Sequence, residues 1–104
     1  MPSSEEYLTY ILDQLSGLDD ITYRCMMGEY LLYYRGILFG GIYDNRLLIK
    51  PAAAAADMVP HPRYEKPYEG AKEMLMIEDT DDKDFLIRFI PAVCAGLPHP
   101  KSRK

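Results

Sequence analysis

Between residues 22 and 50 the chain is interrupted at short, nearly even intervals by residues that favour tight reversals. These are Gly28, the pair Arg35-Gly36 and the pair Asp44-Asn45. The pieces between them, 22–27, 30–34, 37–43 and 46–50, are rich in Tyr, Leu and Ile. Short β-prone runs joined by two-residue connections of Gly, Asn or Asp read as hairpins, so the stretch predicts an antiparallel meander. Gly40-Gly41 falls inside the third piece and predicts a bulge or a close backbone approach. A sheet with one face on helices and the other partly covered by tyrosine rings fits the imperfect alternation.

The flanks supply the cover. Ser3 and Glu6 have capping-box spacing, with acids in the first turn. Leu8, Ile11, Leu12 and Leu15 then mark one apolar stripe, so a helix is expected over residues 4–16, with Tyr7 and Tyr10 half-buried beside it. Gly17 stands where a left-handed residue would end that helix. Pro51 followed by alanines predicts a short helix over residues 51–58. Residues 60–71 hold Pro60, Pro62, Pro67 and Gly70 and read as a surface loop, ordered by docking of Tyr64 and Tyr68. Residues 73–77 read as the last strand. The acids of 78–84 lead a final helix with Phe85, Leu86, Phe89, Ile90, Val93, Cys94 and Leu97 on its apolar face. Pro91 predicts a kink there, or two pieces meeting near residues 88–90. The sum is a two-layer α+β domain over residues 1–98, followed by a basic flexible tail over 99–104.

A chain of 104 residues with 48% hydrophobic content supports one modest core. The net charge is −4, and residues 98–104 contribute three cations and no acid. The acidic body argues against broad binding to a phosphate backbone, so direct nucleic-acid binding is not expected. The two cysteines, Cys25 and Cys94, have neither disulfide-framework nor zinc spacing. The N-terminus is acidic rather than signal-like, and no apolar run reaches the roughly 18 residues of a membrane span. A soluble cytoplasmic protein with no membrane contact is expected.

Catalytic patterns fail one by one. Counting a calcium loop from Asp79 puts Asp84 where glycine is needed and Ile90 where a bidentate acid is needed. His61 and His99 have no second ligand at helical or strand spacing. Cys25 follows Arg24, but no histidine is near it in sequence, and a strand thiol is the commoner role. Gly36 to Gly41 lacks the phosphate-loop pattern, and no serine sits in a nucleophile elbow. No catalytic residue, metal or cofactor is expected. The nine tyrosines are more informative. They suit half-buried strand positions and interfaces. Arg24, Lys50 and Lys72 near strand ends, with Tyr30 or Tyr68, form a candidate interaction or anion-binding set. Aromatics with Arg24, Arg35, Arg46 and Lys50 make single-stranded nucleic-acid stacking a weaker alternative.

One stretch also resembles a known family. Tyr23-Arg24, Met26-Met27-Gly28-Glu29-Tyr30, Leu32-Tyr33, Gly36, Leu38-Phe39-Gly40, Asp44-Asn45, Leu47 and Ile49-Lys50-Pro51 resemble the amino-terminal domain of the TfoX/Sxy competence regulators. Ser16-Gly17-Leu18, Pro67-Tyr68, Gly70-Ala71-Lys72 and Leu97-Pro98 extend the likeness over residues 4–98. Met27 stands where the family often has Phe, a position expected to be in the core. The resemblance implies a stand-alone TfoX-N-like protein with a secretion-chaperone-like α+β fold and no enzyme activity. It implies a role in transcription and competence regulation through protein contacts. The expected partner is a second copy, as a homodimer, or a protein of the transcription machinery or another regulator. A small-ligand or anion-binding module is the alternative.

Overall fold

The structure, a computed structural model, describes residues 4–51, 53–59, 61–78 and 80–97. The expected Ser3 cap and the basic tail lie outside the described residues. The meander forms as the turn chemistry demands. Strands β1 (Ile21–Met26), β2 (Glu29–Tyr34), β3 (Ile37–Ile42) and β4 (Leu47–Ile49) are consecutive antiparallel neighbours. Their connections share one geometry. Met27-Gly28, Arg35-Gly36 and Asp44-Asn45 all have positive φ at both positions, between 52° and 87°. Two left-handed residues in a two-residue loop match the natural strand twist. At the third turn Tyr43 and Arg46 exchange both backbone hydrogen bonds, at 2.9 and 3.0 Å.

The expected bulge is present. Pairing of β2 with β3 shifts register between Leu32 and Tyr33, leaving Phe39 as the additional residue. This lets Ile37, Phe39 and Ile42 all reach the core. Gly40 is required beside it: a Cβ there would lie 2.9 Å from the Ile49 Cα. A methyl at Gly41 would sit 2.6 Å from the Tyr30 carbonyl oxygen.

The sheet order is β1-β2-β3-β4-β6-β5, where β5 is Tyr64–Glu65 and β6 is Met74–Ile77. β5 corrects the reading of residues 60–71 as loop throughout. Only two residues long, it pairs with Leu75 and Met74. The expected docking of Tyr64 and Tyr68 is corrected too, since both rings are largely exposed.

Helices α1 (Glu5–Gln14), α2 (Ala53–Met58) and α3 (Lys83–Ala95) share one core with the sheet. Leu8 and Ile11 from α1, Leu15 at its C-cap, and Leu86, Phe89, Ile90 and Val93 from α3 meet Leu32, Phe39, Leu47, Ile49 and Leu75. Ser4 caps α1, its hydroxyl accepting from the Tyr7 amide at 3.1 Å. Asp82 caps α3 through the Phe85 amide at 3.0 Å. The two helices are tied end to end. Gln14 donates to the Thr80 carbonyl at 2.8 Å, and the Tyr10 hydroxyl donates to Asp81. Gly17 does not adopt the left-handed conformation; that falls to Asp20, at φ 62°. Its lack of a side chain admits Ile87 instead, whose Cδ1 would be 2.5 Å from a Cβ. Pro91 lies within a single continuous α3 rather than between two pieces.

Candidate functional site

β1 is an edge strand, and it is bare. Five of its six residues are exposed. The turn that follows puts Met27 at 96% exposure, with Tyr23 at 46% and Met26 also open. This overturns the expectation that Met27 is a core residue. The position needs φ near 52°, so its side chain is carried outward at the hairpin tip. Cys25 is exposed and in no disulfide, and the Tyr23 ring meets Tyr30 edge-on at 6.0 Å. An unpaired strand edge offers a row of backbone donors and acceptors to any second strand. Natural edges are usually shortened, charged or covered for that reason.

The opposite edge has such guards. β5 is two residues long and stands between Pro62 and Pro67. Arg63 pairs with Glu78 at 2.5 Å and reaches Glu65 at 3.8 Å. Arg46 binds Glu65 at 2.5 Å while its Nε donates to the Tyr43 carbonyl at 3.2 Å. That side chain fastens the β3–β4 turn to β5, and so is engaged within the fold rather than offered to a nucleic acid.

The sheet face away from the main core carries a second feature. Tyr43 and Leu48 are buried there, apart from the main cluster. Beside them opens a cleft of about 400 Å³ lined by Tyr43, Lys50, Tyr68, Lys72, Met74 and Leu97, among others. Its size falls within the usual range for small-molecule sites. Three of the five candidate residues, Lys50, Lys72 and Tyr68, therefore come together. Arg24 and Tyr30 do not join them. Arg24 stands on β1, with β2 and β3 between it and β4. Tyr30 is buried against the helices.

Burial tunes the titratable groups without building a reactive centre. It pushes the Cys94 thiol up to about 11, away from the thiolate. Burial raises Tyr43, helped by the neighbouring Tyr68 hydroxyl, and raises Tyr30, helped by Cys25 and Glu5. Among the described residues no three His, Cys, Asp or Glu side chains gather where they could hold a metal ion. None of the described helices is long and apolar enough to cross a membrane.

The model of the TfoX N-terminal domain matches residues 13–85, a span that includes all six strands. The chain belongs to the TfoX N-terminal domain family. It is also 30% identical over 105 residues to an uncharacterized 12.7 kDa protein encoded in the trpE 5′ region of Spirochaeta aurantia, an alignment covering 100% of this chain and 91% of that protein. No solved structure matches.

Within this TfoX N-terminal domain protein, sequence reasoning missed two features of the candidate site. The exposure of β1 follows from strand order, which alternation cannot reveal. Met27 was detectable in principle, because a two-residue hairpin loop projects its first side chain into solvent.

Proposed function

We propose that this TfoX N-terminal domain protein is a non-enzymatic regulator, a co-regulator of transcription and competence, that acts by docking β1 against a protein partner. The observation that carries the reading is the bare edge. Tyr23, Met26 and Met27 are exposed together on one strand and its turn, while the other edge is short and charged. Strand addition draws affinity from main-chain hydrogen bonds and specificity from alternate side chains. Membership of the family supplies the regulatory context.

The test is complementation in the native cell. Deletion of the gene is expected to change transcript levels of DNA-uptake genes. A Tyr23→Lys/Met27→Asp double variant that keeps its circular dichroism spectrum is expected to behave like the deletion. Full complementation by that variant would refute docking through β1. No transcript change on deletion would refute the regulatory role.

A second reading is supported by the cleft. Lys50 and Lys72 outnumber the one acid, Glu73, in a lining shared with two tyrosines and apolar side chains, a set suited to a small anion with an apolar body. Titration with benzoate should shift the Lys72 and Tyr68 NMR signals in the wild type but not in Lys50→Ala/Lys72→Ala. Signals that do not move would remove this reading.

A further inference from the structure

We propose that a second cleft, between the end of α2, β6 and the start of α3, binds a free α-amino acid with an apolar side chain. Its volume is about 360 Å³, and it shares no lining residue with the lysine cleft. That size is at the lower end of the range for small-molecule sites. The inference goes beyond the regulatory reading and needs neither docking through β1 nor the lysine cleft.

The cleft has an apolar floor and a charged rim. Met58 and Val59 after α2, Phe85 in the first turn of α3, and Met76 and Ile77 on β6 form the floor, all of them buried or half-buried. Phe85 is held there by stacking on Phe89, with ring centroids 4.8 Å apart. Methionine thioethers are flexible and polarisable, so the two of them can fit around a guest side chain.

The rim is made of His61, Arg63, Glu78 and Asp82, all exposed. The Met76 amide donates to the Arg63 carbonyl at 2.7 Å, so backbone pairing holds the segment before β5 against the cleft. The Arg63 guanidinium meets Glu78 at 2.5 Å. Asp82 spends one carboxylate oxygen on the Phe85 amide. Its other oxygen has no hydrogen bond among the described residues.

Charges of both signs choose the ligand. Glu78 and Asp82 would repel a plain carboxylic acid, and a plain amine would give Arg63 no new partner. An α-amino acid carries an ammonium and a carboxylate on one carbon. It can lay them crosswise on the Arg63–Glu78 pair, the carboxylate toward Arg63 and His61 and the ammonium toward Glu78 and Asp82. Charge-assisted hydrogen bonds are the stronger kind. The side chain then enters the floor, where a polar group without partners would lose free energy.

The test uses the full chain labelled with ¹³C at its methionine methyls. Millimolar L-phenylalanine should shift Met58 and Met76 along a saturating curve. Met74, which lines the lysine cleft, should stay in place. L-phenylalaninamide lacks the carboxylate and N-acetyl-L-phenylalanine lacks the ammonium, and each should bind about fivefold or more weakly. Glycine, with no side chain, should bind more weakly still. Arg63→Gln should reduce the preference for phenylalanine over its amide. Asp82→Asn should reduce the preference over the acetyl compound, and because Asn caps a helix as well as Asp, α3 stays intact. No saturating shift at Met58 and Met76 would overturn the proposal. So would an amide, an acetyl derivative or glycine that binds as tightly as phenylalanine, or variants that keep both preferences in full.

Discussion

At the residue scale, two positions show the same backbone rule used for opposite ends. Gly40 has no side chain because the β4 backbone leaves no room for one. Gly40→Ala should cost about 3 kcal/mol or more, since strand backbone cannot shift as a side chain can. Chemical denaturation would measure it, and a loss below about 1 kcal/mol would show that the bulge adjusts. Met27 does the reverse. It holds a left-handed conformation that glycine or asparagine tolerates better, and its side chain contributes almost no burial. Met27→Asn should raise stability by about 0.5–1 kcal/mol, read from the denaturation midpoint. An exposed methionine kept in a strained turn gains nothing for the folded monomer.

At the scale of elements, the sequence made most of the architecture legible because the signals were local. Turn residues at 28, 35–36 and 44–45 define the hairpins, and Leu8, Ile11 and Leu15 define α1. Two residues of β5 were invisible, because their pairing with β6 comes from tertiary closure and not from their own β-propensity. Strand order was equally hidden, and with it the separation of Arg24 from Lys50 and Lys72. Only three of the five candidate residues share a cleft, since proximity to a strand end says nothing about which edge that strand occupies. Arg46 shows what was missed. It looked like one of several loose cations, yet it joins the β3–β4 turn to β5. Both partners are partly solvated, so Arg46→Ala should cost about 1–2 kcal/mol. It should also speed amide exchange in β5 and β6. Unchanged exchange in β5 would show that the clasp is dispensable.

At the scale of the whole molecule, the fold is a one-sided sandwich with a protected edge and an open one. Its response to alkali follows from buried protons. Burial raises the Cys94 thiol from 9.0 to about 11, and burial likewise raises Tyr7, Tyr30 and Tyr43 above 10.0. Tyr10 rises mainly through its hydrogen bond to Asp81. Each group holds its proton more firmly when folded. Their contribution is therefore complete below about pH 9 and is lost as pH climbs through 9–11. The urea midpoint should fall between about pH 8 and pH 10.5, and a flat profile would mean these groups are as accessible folded as unfolded. The proposed docking edge is open in the folded chain, and residue-resolved amide exchange reads that most directly. In dilute solution Thr22, Arg24 and Met26 should be protected, and Ile21 and Tyr23 should exchange freely. The Cys25 amide, on the same side of the strand, should exchange as freely as these two. Slow exchange at Ile21 and Tyr23 in the isolated chain would contradict an open β1 edge.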